Sequence, residues 1–64
     1  MGRRLNYAIC PAEGGAEHTR VFYEQGEAEV EAMCLSAYLN GARINVMKKN
    51  KTTLKWKVVQ QIFA

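Results

Sequence analysis

Leu5, Tyr7 and Ile9 alternate with Asn6, Ala8 and Cys10 through the stretch Arg4 to Cys10, which is the two-residue period of a strand. From Pro11 to Glu17, with Gly14 and Gly15 inside, turn residues replace that pattern. Alternation resumes from His18 to Glu24 with Thr19, Val21 and Tyr23 facing one way, so the two stretches predict a hairpin with a long loop. Gly26 punctuates. Between Glu27 and Asn40 the chain then turns to helix formers, with one Ser and no Pro, and Gly41 follows where a C-terminal glycine belongs. Glu27, Glu29 and Glu31 fall in the first turns, where carboxylates favour the positive end of the helix dipole. Beyond the helix, Ile44 and Val46 alternate with Arg43, Asn45 and Met47. A polar stretch around Asn50 predicts a turn, and Leu54, Trp56 and Val58 alternate with Lys55, Lys57 and Val59 in a final strand.

The expected fold class is therefore α+β, in the order ββαββ. A four-stranded antiparallel sheet carries one helix across one face, and the simplest strand order is 2-1-3-4. The other face of such a sheet can meet water. Within the helix, Ala28, Ala32, Leu35 and Leu39 form a stripe expected to pack on Leu5, Ile9, Val21, Ile44, Val46 and Trp56. A second stripe, Val30, Met33, Cys34 and Ala37 flanked by Tyr38, lies on roughly the opposite side and has no task in the fold of a monomer.

Sixty-four residues leave room for one domain, residues 1–64, with a core near the lower size limit for independent folding. This makes self-association, as a homodimer through the second stripe, an open question. An apolar content of 48% against 23% charged residues is that of a packed domain and not of a disordered tail. The N-terminus lacks the apolar run of a signal peptide, and no stretch reaches transmembrane length, so a cytoplasmic protein without membrane contact is expected. Gly2 invites a myristoylation reading, but Asn6 stands where that motif needs Ser or Thr.

The net charge of +3 hides a sorting along the chain. Residues 1–31 hold all the acids (Glu13, Glu17, Glu24, Glu27, Glu29, Glu31) with Arg3, Arg4 and Arg20, for −3. Residues 32–64 hold Arg43, Lys48, Lys49, Lys51, Lys55 and Lys57 and no acid, for +6. These cations fall on the second hairpin, where they can meet phosphates or simply keep a sheet edge from pairing with other chains. Edge protection is favoured, because Trp56 is expected to point away from the lysines into the core and single-strand binders interleave aromatics with cations.

Catalysis and cofactors find little support. Cys10, Cys34 and the lone His18 fall short of four zinc ligands, and the two cysteines are expected as buried free thiols in a reducing compartment. His18 beside Glu17 and Thr19 is expected on an exposed strand, where neighbours point to opposite faces and form no relay. Glu27, Glu29 and Glu31 are spaced by two, which turns adjacent ones apart on a helix. Gly14 and Gly15 lack the context and Lys of a phosphate loop. Cys34 sits inside the helix, away from an N-terminus that would activate it.

The stretch Arg20 to Met47, RVFYEQGEAEVEAMCLSAYLNGARINVM, resembles the strand, acidic helix, Asn-Gly, strand unit of compact proteins encoded by phages and mobile elements. That resemblance implies a protein that occludes a host enzyme or defence complex. The leading expectation is thus a non-enzymatic protein-binding module, an inhibitor or adaptor using Val30, Met33, Cys34, Ala37 and Tyr38. The alternative is a small nucleic-acid-binding protein using Arg43, Lys48, Lys49, Lys51, Lys55 and Lys57. Salt separates them, since lysine–phosphate affinity falls steeply with ionic strength and an apolar contact does not.

Overall fold

The computed structural model describes residues 4–64; Met1, Gly2 and Arg3, and with them the myristoylation reading and the first cation, lie outside the described residues. The element order is β1 (Tyr7–Pro11), a single 3₁₀ turn (Ala16–His18), β2 (Arg20–Phe22), α1 (Gln25–Tyr38), β3 (Ile44–Lys49) and β4 (Trp56–Ile62). The strands form one antiparallel sheet in the order β2-β1-β3-β4, with α1 packed against one face. The expected class, element order and strand order are all present. No helix among the described residues is long and apolar enough to cross a membrane.

The helix begins earlier than its composition implies. Glu24 takes the N-cap position and forms a capping box, its backbone N–H donating to Glu27 Oε1 at 3.1 Å. Such a reciprocal cap satisfies amide donors that the first turn leaves unpaired, so Gly26 is held inside the helix instead of ending it. At the other end Gly41 N–H donates to the Ser36 carbonyl at 2.7 Å and Asn40 N–H to the Ala37 carbonyl at 3.2 Å. This is a Schellman closure in which Asn40 (φ 60°), and not Gly41, takes the first left-handed position.

Ala28 and Ala32 are fully buried, and with Ile9, Ile44, Val46 and Ile62 they make the core, against which Tyr7, Phe22, Leu35 and Leu39 pack. The two alanines bring the helix backbone close to the sheet. Three expected core partners are displaced. Val21 faces the uncovered side of the sheet and Phe22 packs beneath the helix instead, because Val21, Phe22 and Tyr23 are consecutive apolar residues whose alternation has no intrinsic phase. Leu5 precedes β1 and is exposed. Trp56 is opposite Lys49 in the sheet, at the end of β4 that runs past the helix, and is 41% exposed.

A bulge explains why alternation misleads in β4. Val46 is opposite Gln60 and Met47 is opposite Val58, so Val59 is an extra residue in the ladder. Ile62 returns to the helix side and fills the core position that Trp56 does not. Between β3 and β4 the turn is built on Asn50, whose Oδ1 accepts from the amides of Thr52 (2.8 Å) and Thr53 (2.9 Å). The hairpin projects beyond the helix, and the molecule measures 38 × 19 × 19 Å.

Candidate functional site

Two surfaces lie outside the buried core. The first is the outer side of α1. Steps of 100° per residue place Val30, Met33, Cys34, Ala37 and Tyr38 opposite Ala28, Ala32, Leu35 and Leu39. All five outer residues are exposed, Val30 at 64%, Met33 at 47% and Tyr38 at 76%. The same helical geometry puts Glu27 and Glu31 along one flank of this stripe and Glu29 along the other, with no cation on the helix. The loop after β1 reaches only its C-terminal end. There the His18 ring meets the Tyr38 ring edge-on, with centroids 6.3 Å apart. His18 is thus part of a 3₁₀ turn and half-buried beside an aromatic, where an exposed strand position was expected. Its nearest carboxylate, Glu17 Oε1, lies at 3.8 Å.

The second surface is the projecting hairpin. It gathers five of the six cations expected there, Lys48 and Lys49 on β3, Lys51 and Lys55 in the turn and Lys57 on β4. Arg43 is left out. It precedes β3 at the far end, about 17 Å from Lys48 at the rise of an extended strand, and lines a depression with Glu13, Glu17 and His18. Lys48 and Lys57 are directly opposite each other, and Lys48 Nζ lies 5.9 Å from the centroid of the Tyr7 ring. None of the five lysines forms an ion pair among the described residues.

The cysteines are both free, as expected, but not both buried. Cys10 is half-buried opposite Asn45 on the uncovered sheet face, while Cys34 is exposed on the outer helix stripe, so the sheet and helix stand between them. Among the described residues no three His, Cys, Asp or Glu side chains are grouped to hold a metal ion. Of the helix carboxylates, Glu29 accepts from Gln25 Nε2 at 3.0 Å and Glu27 serves the cap.

One side chain that sequence reasoning passed over is central. Ser36 is fully buried, its Oγ donating to the Ala42 carbonyl at 2.6 Å and accepting from Ala64 N–H at 2.8 Å. It ties the last helical turn, which carries Ala37 and Tyr38, to the loop before β3 and to the chain after β4. A Ser in a helix is ordinary, and its only signal was its place between the two apolar stripes.

The fold is that of a small α+β domain with one helix face and one cationic hairpin exposed. No family model, no curated protein and no solved structure matches the chain.

Proposed function

We propose that this protein is a non-enzymatic module that binds another protein through the outer face of α1, and acts as an inhibitor or adaptor by covering part of its partner. A single observation carries the reading: the helix has two apolar stripes, the core consumes one, and the other is exposed along its whole length. Contiguous apolar surface of this kind is more often an interaction site than scattered single residues are. The carboxylates of Glu27, Glu29 and Glu31 along its flanks favour a partner with an apolar patch rimmed by Lys or Arg. The resemblance of residues 20–47 to phage and mobile-element proteins implies a host protein complex in the cytoplasm as that partner. A second copy of the chain is the other occupant, and would make a symmetric dimer with the helices crossing at Met33.

Met33→Glu tests the reading, because a carboxylate is solvated at this exposed position in the free protein and stranded in an apolar interface. The expected result is a folded variant that no longer captures the partner retained by the wild type. A photo-crosslinker placed at Ala37 should label that partner, and one placed at Thr52 should not. Sedimentation of the wild type separates the two occupants, a dimer assigning the face to a second copy. Unfolding of Met33→Glu, or capture undiminished by it, overturns the proposal.

A further inference from the structure

The uncovered sheet face and the hairpin carry a separate arrangement. Alternation from the core residues Ile9, Val46 and Ile62 places Ala8, Val21 and Met47 on the side away from the helix. Continuing the pairing by one residue sets Tyr23, Asn6, Lys49 and Trp56 side by side in one row across that face. The hydrogen bond from Lys49 N–H to the Asn6 carbonyl, 2.8 Å, and the pairing of Lys49 with Trp56 fix the row. At its edge an open depression of about 320 Å³ is lined by Arg4, Asn6, Tyr23, Lys49, Lys51 and Leu54. Another of about 500 Å³, lined by Lys48, Lys49, Asn50, Lys51 and Lys57, belongs to the helix side of the hairpin, because Lys48 and Lys57 are in register with the core-packed Tyr7.

Edge protection, the simplest reason for lysines on a strand, covers Lys57 on β4 but not Lys48 and Lys49. Those two lie on β3, which is paired on both sides. Like charges directly opposite in a sheet are destabilising, and Lys48 faces Lys57 with no acid within ion-pair distance among the described residues. That pair lies on the helix side, beside the Tyr7 ring, and Lys49 points the other way. On the uncovered side, in one row with Lys49, whose depression also takes in Arg4 and Lys51, Trp56 is 41% exposed, which leaves its ring open to stack on a base.

We propose that this surface binds single-stranded nucleic acid, with Arg4, Lys49 and Lys51 on the phosphates and Trp56 stacked on a base. The site is independent of the outer helix face, from which the sheet separates it.

Trp56 is the only tryptophan, so its own fluorescence reports occupancy. Titration with a short oligothymidylate should quench it, with an affinity that falls with salt at a log–log slope of roughly −2 for about three phosphates on a single strand. Lys49→Ala combined with Lys51→Ala should reduce that slope by roughly 1.4. With a labelled oligonucleotide read by anisotropy, Trp56→Ala should lose about five- to a hundred-fold in affinity, and Trp56→Phe, which keeps a ring, should retain most of it. Met33→Glu should leave all of this unchanged. No quenching at low salt overturns the proposal. So does duplex binding as tight as single-strand binding with Trp56→Ala neutral, or a response to phosphatidylserine vesicles with none to the oligonucleotide.

Discussion

Replacing Ser36 with Ala should destabilise the domain by about 1–2.5 kcal/mol. The hydroxyl is fully buried and makes two bonds, donating to the Ala42 carbonyl and accepting from the Ala64 amide. Each net hydrogen bond contributes about 0.5–1.5 kcal/mol, and a polar group left unpaired out of water costs about 1–3. The Ala42 carbonyl sits in a half-buried residue and keeps part of that penalty, whereas Ala64 is exposed and its amide can turn to solvent. Better helix propensity of Ala returns a few tenths of a kcal/mol. Urea unfolding followed by Trp56 fluorescence and far-ultraviolet circular dichroism measures the sum. For a domain of this size the midpoint of thermal unfolding should fall by roughly 5–15 °C. Hydrogen exchange supplies the local reading, since the Ala64 amide should lose protection while that of Val46 in the central strand keeps its own relative to global stability. A Ser36→Ala protein as stable as the wild type, with Ala64 still protected, would refute the reasoning.

Gly26 lies within the first turn of α1 with nothing within 4 Å of where a Cβ would sit, so Gly26→Ala should raise stability by about 0.5–1 kcal/mol in the same urea assay. Ile44→Ala removes a fully buried side chain beneath the helix and should lose about 2–5 kcal/mol, leaving a largely unfolded chain if the total stability is small. Alkylation without reductant should modify Cys34 quickly and the half-buried Cys10 slowly, and mass measurement should find two adducts; protection of both as a disulfide would contradict the placement of the thiols on opposite sides of the sheet.

The element order, the strand order and the inner helix stripe were all legible in the residues, because strand and helix periods are local and glycine and asparagine punctuate them. So was the outer stripe, since 100° per residue fixes which side chains share a helix face whatever the helix packs against. Which residue of Val21, Phe22 and Tyr23 enters the core was not legible: three consecutive apolar side chains have two equivalent phases, and only packing against the core cluster puts Phe22 there. The extra residue at Val59 likewise left no trace in composition, yet it shifts the phase of β4 so that Ile62 is buried while Trp56 stays in the open. Burial of Ser36 depends on two backbone groups six and twenty-eight residues away in sequence. Local pattern therefore set the elements and their faces, and tertiary packing alone decided their register and which aromatic ring was left beside the lysines.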